Sequence, residues 1–168
     1  RVSTASCTSF PTVGATLVYT TDGSAPTLSN GTVVLPVDAF TSPIATVHVT
    51  TTTTLRAAAF KTGLEPTNVD TQTYIFLQDV LHQPANPAGF PAQWADPAQA
   101  TIAADYEMDP DVVNNPLYSD EIIQGLKDIP TISIVMEPDD LFGTQNGIYT
   151  NSSQRGSAWE RATSVEII

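Results

Sequence analysis

Four acidic side chains at alternate positions could do metal chemistry. They fall within seven residues: Asp105, Glu107, Asp109 and Asp111. Oxygen ligands in such a run can wrap Ca²⁺, but this run lacks the sixth-position glycine and the distal bidentate glutamate of a calcium-binding hand loop. A solvated acidic surface is the alternative, and Asp109 followed by Pro110 also suits the start of a helix. We therefore expect no cofactor, with Ca²⁺ as the open alternative.

Histidine, cysteine and glycine lack the spacings that catalytic or phosphate-binding sites need. His48 alternates with valines, His82 lies in an unrelated context, and Cys7 has no local partner motif. A Ser-His-Asp or Cys-His set is therefore not predicted. The glycines at 143, 147 and 156 are too scattered for a phosphate loop. We expect no catalytic, cofactor-binding or metal-binding residue, and we expect His48 to face solvent from a strand.

One cluster of mixed charge surrounds an indole. Arg155, Glu160 and Arg161 lie close to Trp159 in the sequence. The pattern predicts a salt-bridged surface corner in which an arginine stacks on Trp159, with a ligand site as the alternative.

A strand that runs into a rigid turn is the clearest local pattern in the first half. Residues 16–20 alternate small or polar with apolar β-formers. Three residues then favour a turn: the Asp22 side chain can bond its own backbone, Gly23 accepts a positive φ, and Pro26 fixes φ. We interpret this set as a structural turn of a β-sandwich, with a binding site as the alternative; its members are Asp22, Gly23, Ser24, Pro26 and Thr27.

The elements that must position these residues are mostly short strands. Strands are predicted near residues 2–6, 16–21, 46–50, 53–61 and 69–76, with another around 32–37. Three alanines in 53–61 could suit a helix, but the threonines before them favour extended structure. Tyr19, Tyr74 and Phe76 are candidate platforms for sugar, although a core or tyrosine-corner role is the preferred interpretation.

The first region resembles a known family. Residues 19–27, read with residues 53–60 and with Thr73-Tyr74, are similar to the chitobiase/β-hexosaminidase C-terminal-type domain over about residues 1–77. The resemblance implies an immunoglobulin-like accessory sandwich without catalytic residues, found in secreted and surface bacterial proteins. The stretch 30–42 is longer and richer in proline than the compact pattern.

Beyond residue 77 the composition changes. Prolines at 84, 87, 91 and 97 argue against continuous helix or sheet in residues 78–104, so we expect an extended connector whose Phe90 and Trp94 dock on a neighbouring surface. Residues 105–168 predict a small, incomplete α+β segment. Its expected elements are a helix near 109–114, a helix over 119–127 capped by Ser119, a strand at 129–136, a short helical piece in 137–143 and β-structure over 159–168.

The second region also carries a resemblance. Residues 129–135, 139–142, 147–149 and 155–166 are similar to the opening of the spore-coat protein H-like (CotH) region, over about residues 100–168. Full members of that family resemble atypical kinases whose nucleotide- and metal-binding acids lie in a later part. The resemblance therefore implies no catalytic residue here.

Charge and composition limit the classes of function. Residues 1–77 carry four acids against three bases, a net charge of −1, and residues 78–168 carry fourteen against three, or −11; together these give −12. Such a charge disfavours nucleic acid as a partner, and no apolar run approaches the ~20 residues of a membrane span. A single cysteine allows no intrachain disulfide. Sequons at Asn30 and Asn151 are candidates for glycosylation.

These observations predict a non-catalytic structural or interaction segment of a large secreted or cell-surface bacterial protein. The alternatives are the front of a CotH-like atypical kinase and a carbohydrate-binding accessory module. Both ends read as strand-like, which predicts a piece of a longer precursor. Expected partners are other domains of that precursor, other copies of the chain or cell-surface glycans. Strands at 131–136 and 163–168 are expected to be left unpaired and to invite pairing with another chain.

Overall fold

A computed structural model describes residues 4–94 and 102–168. The chain divides into two compact units, residues 1–75 and 76–168. In its described part, from residue 4 on, the first unit contains six strands: β1 (Thr4–Ser9), β2 (Thr16–Thr20), β3 (Thr32–Val34), β4 (Ile44–Val49), β5 (Thr53–Phe60) and β6 (Asp70–Tyr74). β1 pairs with β4, and the other four form a sheet in the order β3-β2-β5-β6. All these pairings are antiparallel, which confirms the predicted class.

The core of the first unit lies between its two sheets. Leu17 of β2, Ala45 of β4 and Ala57 of β5 contact one another, so residues of both sheets share one apolar interior. β4 alternates strictly: Ala45, Val47 and Val49 are buried and the residues between them are exposed. His48 therefore faces solvent, as predicted. This two-sheet arrangement is a β-sandwich.

The central strands are buried on both faces. Leu17 and Val18 are each 0% exposed although they point to opposite sides of β2. Their partners across the strand pair are Ala59 and Ala58, which are also buried. The alanine run thus forms a strand, as predicted, and its small side chains leave room for covering segments on both sides of the sheet.

The second unit combines short helices with two strand pairs. Its elements are α1 (Leu77–Leu81), β7 (Gln93–Trp94), β8 (Ile102–Ala103), α2 (Pro110–Val113), α3 (Ile122–Asp128), β9 (Ile132–Val135), α4 (Pro138–Phe142), a 3₁₀ turn (Ser157–Trp159) and β10 (Ser164–Ile167). β7 pairs with β8, and β9 pairs with β10. No helix of the described part is long and apolar enough to cross a membrane.

The connector is more structured than the sequence indicates. The expected extended connector over 78–104 begins with the last residues of a short helix, because α1 extends to Leu81, and it includes the paired strand β7. The first proline of the stretch, Pro84, comes after α1 has ended, so it does not interrupt that helix. Residues 95–101 lie outside the described residues, and Pro97 with them.

Aromatic side chains tie the connector to the acidic region. The rings of Phe90 and Trp94 lie 5.6 and 5.8 Å from the ring of Tyr106. Trp94 Nε1 donates to the Tyr106 hydroxyl at 3.2 Å, and that hydroxyl donates to the Pro91 carbonyl at 3.0 Å. Phe90 and Trp94 thus both contact Tyr106, in line with the predicted docking, and Phe90 remains 51% exposed.

Helix starts follow capping chemistry in one case and not in another. Asp109 caps α2 as predicted, since its Oδ1 accepts from the Asp111 amide at 2.8 Å. Ser119 does not cap α3: that helix begins at Ile122, and the Ser119 hydroxyl donates to the Pro116 carbonyl instead. Successive turns over residues 115–121 use the backbone groups that an earlier helix start would need.

The last two strands also differ from prediction. β9 and β10 are not left unpaired, because they pair with each other. The predicted β-structure over 159–168 is too long: Ser157–Trp159 form a 3₁₀ turn, and the strand begins at Ser164. Gly156, with φ of +92°, turns the backbone immediately before that 3₁₀ turn.

Candidate functional site

The turn at residues 22–24 is organised by one carboxylate. Asp22 Oδ1 accepts from the Ser24 hydroxyl at 2.6 Å and from the Ser24 amide at 3.0 Å. The hydroxyl bond first, and then the amide bond, lower the pKa of Asp22 below its ordinary value. Gly23 between them has φ of +81°, a conformation that suits glycine. These bonds favour the ionised carboxylate of Asp22, which serves as the acceptor at the centre of the turn.

The turn is fastened to the sheet below it. The Gly23 amide donates to the Thr54 carbonyl at 3.2 Å, and the Gly23 carbonyl accepts from Arg56 Nη1 at 3.0 Å. Thr20, itself buried, donates its hydroxyl to the Ser24 carbonyl at 2.6 Å. Bonds from two neighbouring strands thus fix both sides of the turn.

A second loop closes over the first. The Asn30 side-chain amide donates to the Ser24 hydroxyl at 3.0 Å and to the Ala25 carbonyl at 2.8 Å. Thr27 and Asn30 exchange both backbone bonds, at 2.9 and 3.1 Å. Pro26 is buried at the centre. We call residues 20–31 the corner; it contains all five residues of the predicted turn.

Gly31 ends the corner where two backbone segments nearly touch. Its φ is +114°, and a Cβ there would lie 2.6 Å from the Tyr19 carbonyl oxygen and 3.1 Å from Val18 Cγ1. The close approach explains how Val18 and Thr20, on the outer side of β2, become buried. Only glycine fits this backbone and this space.

With this geometry the first unit can be compared with known families. Residues 2–71 match the family model of the chitobiase/beta-hexosaminidase C-terminal domain. The match confirms the first resemblance, and the chitobiase C-terminal-type domain is immunoglobulin-like β, as the sheets show. No curated protein and no solved structure matches the chain. The second resemblance, over residues 100–168, stays a prediction.

The first unit also presents a surface loop that sequence reasoning did not single out. Leu35, Val37 and Phe40 are 71%, 90% and 87% exposed. The loop is held from within: Asp38 Oδ1 accepts from the Thr41 hydroxyl at 2.6 Å and from the Phe40 amide at 2.8 Å. The Thr41 bond, followed by the Phe40 bond, lowers the pKa of Asp38. The sequence pattern that could have predicted this exposed loop is an apolar run that contains an Asp-x-Phe-Thr turn.

The aromatic residues considered as sugar platforms lie elsewhere. Tyr19 packs against the core cluster, and the Tyr74 hydroxyl donates to Gln72 Oε1 at 2.8 Å. Phe76 belongs to the second unit, where it precedes α1. Tyr19 thus occupies the core position that we preferred for it. Among the side chains that the structure describes in the first unit, the aromatic one that is mostly exposed is Phe40.

The acidic run of the second unit is occupied by turn formation. Asp105 Oδ1 accepts from the Glu107 amide at 3.3 Å, and Asp109 Oδ1 accepts from the Asp111 amide. Within residues 4–94 and 102–168, no group of three His, Cys, Asp or Glu side chains is placed to hold a metal ion. The run caps turns and a helix, and it does not form a cage of ligands.

The mixed-charge cluster is built around Arg161. Its guanidinium carbon lies 5.5 Å from the centre of the Trp159 ring, so the predicted stacking is confirmed. Its acidic partner is Asp140 of α4, with Nε 3.5 Å from Oδ1. Nε and Nη2 both donate to the Asn146 carbonyl, at 3.2 and 2.7 Å. Arg161 thereby joins α4, the loop after it and the 3₁₀ turn.

Proposed function

We propose that the chain is a non-catalytic accessory segment of a larger secreted or cell-surface bacterial protein. The observation that carries this proposal is the match of residues 2–71 to an accessory domain, together with an antiparallel sandwich in the same region. The chemistry of the corner supports it. The acid, hydroxyl and amide of Asp22, Ser24 and Asn30 are bonded to one another and to backbone, which suits a structural role for the predicted turn.

The proposed organisation has three parts. Residues 1–77 form the immunoglobulin-like accessory module, 78–104 form the connector, and 105–168 form an acidic α+β segment that begins a CotH-like domain. The change of net charge from −1 to −11 at residue 77 supports a first boundary there, and the division of the structure between residues 75 and 76 lies two residues earlier. On this proposal any kinase-like chemistry belongs to residues outside the chain, so the atypical-kinase alternative concerns the whole protein.

A turnover assay tests the absence of catalysis. The purified chain is incubated with chromogenic N-acetylglucosaminides and, separately, with ATP and a protein acceptor. We expect product at the level of buffer alone. Turnover that Asp22→Asn or Asp140→Asn abolishes, in a chain that remains folded, would overturn the proposal.

Binding of carbohydrate is the second candidate function, and the exposure of Phe40 favours it. Aromatic rings stack against the apolar face of a sugar, and Phe40 stands on a loop that its own hydrogen bonds already hold. A chitin pull-down compares the unchanged chain with Phe40→Ser and with the control Val37→Ser, which removes an equally exposed aliphatic group. Retention lost only in Phe40→Ser supports this function, whereas equal retention in all three chains removes Phe40 from it.

A further inference from the structure

The β9–β10 pair carries an uncovered apolar face. Ile134 lies opposite Val165, and Ile132 lies opposite Ile167. Because side chains alternate along a strand, all four project from one side of the pair. They are 63%, 58%, 61% and 79% exposed, in that order. We call these four residues the isoleucine–valine face.

The opposite side of the same pair is the covered one. Val135 there is 9% exposed, and Ser133, Ser164 and Glu166 are half-buried. The Thr163 hydroxyl also donates to the Val135 carbonyl at 3.1 Å. The chain thus covers the side with two serines and a glutamate, and leaves four β-branched apolar residues facing solvent. That is the reverse of the usual preference of these residue types.

The size of this face limits what can cover it. Four aliphatic side chains at this exposure present roughly 400 Å² of apolar surface, which is the size of the largest apolar patch on a typical monomer, and such a patch is often functional. A stable complex between separate chains buries about 800 Å² on each partner. The face is therefore too small to hold a free partner on its own account.

Charge argues against a second copy of the chain. Residues 78–168 carry a net charge of −11, so two such regions that meet through this face repel one another. A partner on the same polypeptide avoids both difficulties, because a covalent link supplies an effective concentration in the millimolar range.

We propose that the isoleucine–valine face is the docking surface for the apolar face of a further folded domain of the same polypeptide. The inference rests on the proposed function, in which the chain is one segment of a larger protein. The partner surface is uncharged and rich in aliphatic side chains, because a buried charge opposite four isoleucine and valine side chains would find no partner. Two paired strands alone are marginally stable, and docking completes their packing.

Methyl NMR tests the occupant directly. Isoleucine and valine methyl groups are labelled in the 168-residue chain and in the full polypeptide that contains it, and a soluble paramagnetic agent reports their exposure. We expect strong broadening of Ile132, Ile134, Val165 and Ile167 in the 168-residue chain and at least about a fivefold reduction in the full polypeptide. Val37 is the internal control and stays broadened in both. Equal broadening of the four residues in both proteins overturns the inference.

A variant separates the remaining outcomes. Replacing all four residues by threonine keeps β-branching and removes the apolar face; Leu35→Thr with Val37→Thr is the matched control. We expect the 168-residue chain to sediment as a monomer with or without the replacements and to keep its unfolding transition. A dimer that the fourfold variant dissociates assigns the face to a second copy, and loss of folding assigns it to the unit's own core; either overturns the inference.

Failure of this inference can be told from failure of the proposed function. If the full polypeptide has no further domain, the proposed function itself fails. If it has one and the methyl groups stay exposed, only this inference fails.

Discussion

Replacing Gly31 by alanine tests whether the corner is a tightly packed structural device. An alanine at φ of +114° costs about 1–2 kcal/mol in backbone strain. Its Cβ would lie 2.6 Å from the Tyr19 carbonyl oxygen, and a backbone atom of a central strand cannot move away freely. Overpacking of this kind costs about 1–3 kcal/mol. We therefore expect the free energy of unfolding of the first unit to fall by about 3 kcal/mol.

The matched control is Gly63→Ala. Gly63 has φ of +81°, but nothing lies within 4 Å of an added Cβ. Both substitutions remove the same backbone freedom from the unfolded chain, so that contribution cancels in the comparison. Gly63→Ala should cost only the strain, about 1 kcal/mol. The difference between the two variants combines the contacts of the added Cβ with Tyr19, Thr20 and Val18 and the difference in strain between the two φ angles.

The assay can follow the two units separately. Both tryptophans, Trp94 and Trp159, lie in the second unit, so their fluorescence reports that unit alone. Far-UV circular dichroism includes the sandwich. A loss of about 3 kcal/mol corresponds to roughly 15 °C in the melting temperature of a domain this small. Equal losses for Gly31→Ala and Gly63→Ala would refute the close-approach argument, as would a Gly31 variant that shifts only the fluorescence transition.

Three further outcomes are expected. The folded-state pKa of Asp22 is lowered, so its contribution to stability is present above the unfolded pKa of about 3.9 and is lost as pH falls through the folded pKa. Asp22→Asn should therefore weaken the dependence of the free energy of unfolding on pH below about pH 4. An unchanged pH dependence contradicts this. Asn30 donates from its side-chain nitrogen to two acceptors, so in a glycosylating host intact-mass analysis should show that site unoccupied on folded chain; full occupancy contradicts the corner geometry. Gly125 lies inside α3 with open space around an added Cβ, so Gly125→Ala should stabilise the second unit by up to about 1 kcal/mol in the fluorescence transition, and destabilisation would show a contact there.

The sandwich was predictable because its signals are local. Threonine-rich strands, alternation in residues 44–49 and the Asp22-Gly23 turn each act over a few residues and agree with one another. The position of Asn30 could not be predicted from the sequence, because its bonds to Ser24 and Ala25 depend on how a second loop folds back. The sequence marked Asn30 only as a sequon.

The second unit was harder to predict, because tertiary contacts select among equal local signals. Ser119 is a good capping residue, yet turns over residues 115–121 delay the helix. Glu160 is the nearest acid to Arg161, but the carboxylate that pairs with it is Asp140, which α4 carries back to the 3₁₀ turn. Two partners twenty-one residues apart in the sequence cannot be matched from local spacing.

The corner and the exposed loop are fixed by the same hydrogen-bond pattern, with different consequences for the side chains they carry. In each, one aspartate accepts from a hydroxyl and an amide a few residues on, which fixes a turn by local bonds and leaves the sheets free to supply the core. In the corner, the fixed turn is covered by a second loop and buries the outer side of β2. In residues 35–41, an equally fixed turn holds Val37 and Phe40 in solvent. A loop whose polar groups bond one another while its apolar side chains stay exposed has a lower ordering cost for making a contact.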